Sequence, residues 1–513
     1  MNPIRKPTKA PILIVGAGPT GLVLALSLAH RGVIPRIIDQ KDGPARESRA
    51  IGVQARTLEF YHQFGFADEI VNEGVICKQV HMRRVRPGSP PKTLVNLTIE
   101  DMGKGLSPYP FLLAYPQDDH ERFLIDKLEE VGVTVEWNTR FVSLTQDGEN
   151  VQAVLERDGE SEELTVDYLA GCDGAGSTVR HELNIDFTGL TQKQVFYVAD
   201  VDLDSDSLGE WSHLYLNLSD TSPTVIFPVR SSGSQRLIGL VPRELHERED
   251  LSFEDFQNDL EHLLDVRFRQ VNWFSTFHVH HRVAETFQRG RAFLAGDAGH
   301  VHSPAGGQGM NTGIGDAINL GWKLADVVRG RASRSILDSY DPERTPFARR
   351  LVATTDRAFK RLMTQGITGK AIRYWVMPNV ARLLTSFRKG RDLAFLTISQ
   401  TAISYPDSPL SDGEEGGKRL PWVPMESGSN FDLLRSLDWQ VHVYGQQTKE
   451  LAEACEALHL ALFALPWSDS ARAAGIRRDA VYFIRPDGYV AFASDDKAAE
   501  QLQAYVKRHS LVD

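Results

Sequence analysis

The chain has 513 residues, 42% of them hydrophobic and 24% charged, with a formal net charge of -11. This length exceeds what one core usually supports, so two or three domains are expected, and the acidic balance speaks against a nonspecific nucleic-acid binder. Three widely spaced cysteines, Cys77, Cys172 and Cys455, exclude a disulfide framework and a zinc motif, and no apolar run approaches a membrane span, so a cytoplasmic protein without a membrane partner is expected.

In chain order, the first signal is PILIVGAGPTGLVLALSLAHRG, residues 11–32, which reads as strand, tight turn and helix. Gly16 allows the bend, Gly18 leaves room for a pyrophosphate, and Gly21 lets the helix pack on the strand, while Pro19 and Thr20 open that helix. A second short strand ends in Asp39, at the ~20-residue spacing of an acid that binds a ribose 2′-OH. The unit therefore binds a dinucleotide, with NAD and FAD both open at this point.

Around RVRPGSPPK, residues 84–92, the chain is expected to leave this sheet, returning with a helix over 121–130 and a strand over 133–137. A charged hairpin turn at 156–163 precedes a strand over 164–170. From 187 to 283 short alternating strands dominate, interrupted by a helix over 253–264, as suits an inserted antiparallel sheet forming one wall of a substrate pocket. FLAGDAGH, residues 293–300, is another strand ending near an acid, and a long helix is expected over 312–328. After the Pro, Gly and Ser-rich stretch 404–422, the order is strand Gln440–Tyr444, helix 448–458, strand 460–465, a hairpin over 481–492 and a last helix over 496–509. That order suits a thioredoxin-type domain, but the two cysteines of redox work are missing, so a packing or dimerisation module is expected.

Four further stretches carry a resemblance. GCDGAGSTVR (171–180), GRAFLAGDAGHVHSPAGGQGMNTGIGDAINLGWKLA (290–325), SRAIGVQARTLEF (48–60) and YPQDDHERFL (115–124) resemble the signatures of single-component FAD-dependent aromatic hydroxylases. The likeness is to the para-hydroxybenzoate hydroxylase fold, in its phenol-hydroxylase-like branch, and covers essentially the whole chain. It implies an α/β fold: a Rossmann-like FAD-binding domain (1–80, 111–186 and 284–400) with an inserted antiparallel-sheet substrate domain (81–110 and 187–283). A linker (401–422) and a thioredoxin-like domain without CxxC (423–513) complete the expected order.

The resemblance also implies FAD-contacting residues beyond Gly16, Gly18, Pro19, Thr20, Gly21 and Asp39. These are Arg49 and Gln117, Asp173 near the pyrophosphate and nicotinamide route, Gly296 and Asp297 at the ribityl chain, and Pro304, Gly307, Gly309, Met310 and Asn311 at the isoalloxazine edge. Arg180 is expected to anchor the Asp-Gly turn. Departures from the family pattern are Gly299 for alanine, Ala305 for threonine and Asp39 for glutamate.

The activity implied is a monooxygenase that takes NAD(P)H as a transient co-substrate and O2, forms a flavin C4a-hydroperoxide and hydroxylates a phenolic aromatic substrate. Hydroxylation or epoxidation of a polycyclic polyketide, and a non-catalytic FAD-binding sensor, are the alternatives, and a homodimer is left open. His278, His280 and His281, with Arg230 and Arg282, are candidates for handling the substrate's charge, though plain sheet histidines are the simpler reading; the catalytic base is unassigned.

Overall fold

The short apolar run Ile12–Val15 forms a strand buried on both faces, flanked in parallel by Arg36–Ile38 and Tyr168–Gly171. Val135–Glu136 extends this sheet on one side and Ala292–Leu294 on the other, both parallel, with Gln288–Arg289 as an antiparallel edge. This computed structural model describes residues 10–46, 50–204, 208–248, 250–303 and 307–511. Helix Pro19–His30 is apolar around most of its circumference because it is buried between the sheet and helix Gly309–Val328. The two helices touch closely: a Cβ on Gly321 would lie 2.4 Å from the Ser27 hydroxyl oxygen.

The stretch expected as one strand over 164–170 is two. Glu160–Val166 belongs to a three-stranded antiparallel sheet with Val151–Arg157 and Thr139–Gln146, and Tyr168–Gly171 to the parallel sheet. Asp167 is the corner between them, its N–H donating to the Pro11 carbonyl at 2.9 Å.

Residues 84–92 do not form a mere exit loop. Strands Gln79–Arg86 and Ser89–Thr98 make a hairpin at the edge of an eight-stranded sheet. Pro90 and Pro91 are tolerated there because an edge strand leaves half of its N–H groups unpaired. The sheet continues through Leu214–Leu218, Pro223–Pro228, Gln235–Leu240, Phe187–Leu203, Phe268–Ala284 and His300–Val301. All neighbours are antiparallel except Leu214–Leu218 beside Gln79–Arg86. One face, with Tyr197, Ile226 and Leu237, is covered by Phe253, Phe256 and Leu260 of the 3-10 turn and helix around 253–264.

The final sheet has the order Ala461–Leu465, Gln440–Tyr444, Val481–Ile484, Val490–Ser494, the first pair parallel and the rest antiparallel. Its turn Arg485 to Gly488 enters the core of the nucleotide unit. Arg485, Asp487, Lys323 and Glu343 are all essentially inaccessible. Glu343 accepts from Arg485 at 2.7 and 3.0 Å and from Lys323 at 2.8 Å, while Arg485 also pairs with Asp487 at 2.7 Å.

Candidate cofactor and substrate site

The first glycine turn is shaped by three different contacts. Gly16 has φ +104°, and a Cβ there would sit 2.4 Å from the Cys172 carbonyl oxygen; a Cβ on Gly21 would sit 1.9 Å from the Gly16 carbonyl oxygen. Gly18 is the opposite case, since a Cβ would meet nothing within 4 Å. Pro19 then opens a helix with no side-chain cap and no acidic residue in its first turn. Its first N–H groups have no acceptor within the helix, which favours an anion in the space beside Gly18. Asp39 is buried beside the turn, accepting from the Ala17 N–H at 2.8 Å and the Lys41 N–H at 2.9 Å.

Asp173 caps its own segment, accepting from the Ser177 hydroxyl at 2.5 Å and the Val179 N–H at 3.1 Å. Burial raises its pKa against those hydrogen bonds. Gly174, at φ +79°, faces open space. Arg180 donates to the Ala175 carbonyl and to the Ala298 carbonyl, both at 2.9 Å, and lies over the Phe187 ring. It therefore joins the Asp-Gly turn to the loop that carries Asp297.

That second loop links two sheets. The chain leaves Ala292–Leu294, turns through Gly296–Ala298 and enters the eight-stranded sheet at His300–Val301. Gly296, at φ +63°, leaves 2.5 Å between a would-be Cβ and the Thr20 hydroxyl; Gly313 leaves 2.4 Å to the same atom. Thr20 thus fills the gap between the two loops. Asp297 has an exposed side chain. Gly307, at φ +61°, also faces open space, Gly309 starts its helix where a Cβ would sit 3.8 Å from the His302 ring, and Met310 is half-buried against the main core. Asn311 is a pin: its side chain accepts from the Gln54 N–H and the Thr57 hydroxyl, both at 2.8 Å, and donates to the Gly52 and Gly307 carbonyls at 2.8 and 3.0 Å. Arg49, Pro304 and the departure at Ala305 lie outside the described residues.

Sequence reasoning missed Asp316, which holds this loop. Its carboxylate accepts from the Gly296 N–H at 2.9 Å, from His300 Nε2 at 2.8 Å and from Arg344 Nε at 2.6 Å, all fully buried. Burial opposes its ionisation, yet Arg344 and His300 hold its carboxyl below the ordinary range. The available signal was a polar stripe, Asp316, Asn319 and Lys323, at i, i+3 and i+7 on an otherwise apolar helix.

Gln117 begins helix Gln117–Glu130, four residues before the expected start, its N–H donating to the Ala50 carbonyl at 3.1 Å and its side chain to Glu121 at 2.9 Å. Arg230 is paired: its guanidinium grips Asp118 and Asp119 of that helix, each at 2.8 Å. His280 bonds Thr191 at 2.9 Å, and Arg282 reaches the same hydroxyl at 3.1 Å. His278 and His280, with Thr191, Gln192 and Ala175, line an open recess of about 570 Å³ beside the Asp-Gly turn. His281 is buried, and burial lowers its pKa despite Asp356. His302 is pulled by burial down to about 4, so it is neutral at neutral pH.

The face of the eight-stranded sheet away from helix Gln257–Leu264 is an apolar platform. Register puts Val95, Met82, Leu216, Val225, Ile238, Val198 and Ser275 in one row across seven strands. At the spacing of neighbouring strands this row is about 29 Å wide. Leu216, Val225 and Ile238 are only half-buried although they lie in mid-sheet, which leaves their side chains a surface to offer. In the adjoining row Phe227, Arg236, Asp200 and Trp273 are neighbours, and Arg236 forks onto Asp200 with both bonds at 2.7 Å. Arg236 also reaches the Ala50 carbonyl at 3.4 Å, so this row meets the segment that Gln117 touches.

Comparison with known proteins agrees with this geometry. The FAD binding domain family matches residues 9–355. The chain is 38% identical over 425 residues to the 6-methylpretetramide 4-monooxygenase of Streptomyces rimosus, covering 79% of this chain and 72% of that protein. It is 30% identical to the pentachlorophenol 4-monooxygenase of Sphingobium chlorophenolicum, over 87% of this chain and 82% of that one. Among solved structures, the anhydrotetracycline hydroxylase OxyS of Streptomyces rimosus superposes with a TM-score of 0.78 at 26% identity, covering 98% of this chain and 99% of that one.

Proposed function

Because the chain belongs to the FAD binding domain family and is an FAD-dependent monooxygenase, we propose that it uses NAD(P)H and O2 to hydroxylate a phenolic ring carried on a polycyclic aromatic scaffold. The observation that carries the choice of scaffold is the apolar platform, where the half-buried Leu216, Val225 and Ile238 cross three adjacent strands, about 10 Å, which is more than a single ring needs. The relative named for 6-methylpretetramide supports the same reading, while the one named for pentachlorophenol keeps a single-ring substrate as the reading to be tested against it.

Bound FAD supplies the electron transfer and the oxygen activation of the reaction. This chain's own part is to hold and shield. In this reading the Asp39 carboxylate receives the ribose hydroxyls, and the space at Gly18 with the N–H groups of the Pro19–His30 helix receives the pyrophosphate. Asp297 would face the ribityl chain and the backbone at Gly307, Gly309, Met310 and Asn311 the ring edge, with Gln117 and Asp173 completing the surroundings; Arg49 and Pro304, expected there from the sequence, lie outside the described residues. The N-terminus of helix Gly309–Val328 has no acidic residue in its first turn, so its dipole favours negative charge on a reduced ring. The platform excludes water from the reacting carbon and aligns a flat substrate by its apolar face.

The test is to purify the protein, identify the released flavin, and measure NAD(P)H oxidation with a panel of single-ring phenols and polycyclic phenols. The expected result is stimulation by the polycyclic set with a product heavier by one oxygen atom. Stimulation by single-ring phenols alone would overturn the scaffold assignment, and bound flavin with no coupled product from any phenol would favour a sensor.

A further inference from the structure

Between residues 357 and 391 the chain carries nine Lys and Arg and no Asp or Glu, within a molecule of net charge -11. These residues form the end of helix Tyr340–Leu362 and one continuous helical stretch, Gly366–Ala371, the π-helical Ile372–Val376 and Met377–Ser386, leading into helix Arg388–Ile398. The inner side of this hairpin is fixed. Leu362, Tyr374, Met377 and Ala381 pack on Met82, Val95 and Leu218 at the edge of the platform. Arg373 is buried and donates to the carbonyls of Ser219, Asp220, Leu362 and Thr364.

The outer side is apolar and uncovered. Ile367 is 88% exposed, Trp375 71% and Leu383 64%, accompanied by Val376, Val380 and Phe387. Val376, Val380 and Leu383 recur at i, i+4 and i+7, so they share one side of the helix. Three carboxylates meet the patch: Asp220 pairs with Lys370 at 2.6 Å, Asp356 with Lys360 at 2.7 Å, and Asp392 lies 3.9 Å from Arg388. They leave a large excess of positive charge.

We propose that this hairpin is a docking surface for an anionic lipid bilayer, on which the protein lies peripherally. A tryptophan and large aliphatic side chains among Lys and Arg are the composition of helices that lie in a lipid interface, where apolar insertion and attraction to acidic headgroups add. A second copy of the chain fits less well, since a twofold contact would set the same basic surface against itself. Among the described residues no helix is long and apolar enough to cross a membrane, so the contact is with the surface alone. This departs from the expectation of no membrane partner drawn from the absence of a spanning segment. The hairpin roofs the end of the platform, so docking would place the pocket beside the phase in which an apolar polycyclic substrate collects. That consequence rests on the proposed function; the docking itself does not.

The experiment is flotation of the flavin-loaded full chain, without substrate, on vesicles of phosphatidylcholine and on vesicles containing phosphatidylglycerol. Binding is expected on the second only, and should weaken as salt is raised. Trp375→Glu with Leu383→Glu should abolish it, and Arg388→Gln with Lys389→Gln should lower partitioning about 25-fold, at about fivefold for each basic charge removed. Retained flavin absorbance and an unchanged melting temperature show that each variant is folded. Absence of binding to the anionic vesicles at low salt would overturn the proposal. So would binding that both variants retain, or a dimer in sedimentation that Trp375→Glu dissociates while vesicles are ignored. Because no turnover is measured, failure here is separable from failure of the assigned reaction.

Discussion

Gly18 and Asp316 shape the proposed cofactor site by opposite means. A Cβ at Gly18 points into open space, so Gly18→Val is expected to change stability by no more than about 0.5 kcal/mol. It should nevertheless strip flavin from the purified protein, read as the ratio of visible to ultraviolet absorbance. Asp316→Ala removes the partner of the buried Arg344 guanidinium and the acceptor of the Gly296 N–H. It is expected to cost about 3–5 kcal/mol in urea unfolding, because it leaves an uncompensated buried charge. Gly16, Gly18 and Gly21 were legible because their roles follow from local backbone geometry. Asn311 was legible as a position but not as a pin, since Gly52, Gln54 and Thr57 approach it only through the fold. The pairing of Arg230 was hidden for the same reason, its carboxylate partners lying on a helix more than a hundred residues away in the chain.

At the level of elements, periodicity located most strands and helices, because amphipathic spacing is local information. Boundaries failed where tertiary contacts decide them. The helix at Gly309 starts three residues before the expected 312 because Gly307 and Gly309 can make the turn, and the edge hairpin around Pro90 is stabilised by a sheet whose other strands lie elsewhere in the sequence. Helix Tyr340–Leu362 contributes Glu343, the carboxylate on which Lys323, Arg485, Asn319 and Ser408 converge. Burial, with the neighbouring Arg485 charge, draws the Lys323 ammonium down to about 8, with Glu343 opposing that fall. Glu343→Ala is therefore expected to destabilise the protein by about 3–5 kcal/mol. It should also loosen the final sheet first, seen as earlier proteolytic release of the segment beyond the linker.

Among the described residues, burial draws three histidines furthest below their ordinary range, His120 and His442 to about 3 and His302 to about 4. Each is protonated in the unfolded chain below its ordinary 6.5 but not in the folded one, so unfolding takes up protons and stability falls with pH. The expected loss approaches about 4 kcal/mol per pH unit between about pH 6 and about pH 4, measured as denaturant midpoints across that range. His302→Gln should shrink that slope by about one third.

The turn at Arg485 also bears on how the protein is made. Helix Gly309–Val328 is synthesised long before Arg485, which joins Lys323 on Glu343, and before Asp487, which accepts from the Trp322 indole N–H at 3.0 Å. A growing chain therefore holds a half-finished charge cluster under its nucleotide fold until nearly its last turn has emerged. Released truncated chains ending before residue 480 are expected to be colourless and protease-sensitive, while released chains that retain the residues past 495 should take up flavin. Coloration would then serve as a marker of completion, set by one late arginine.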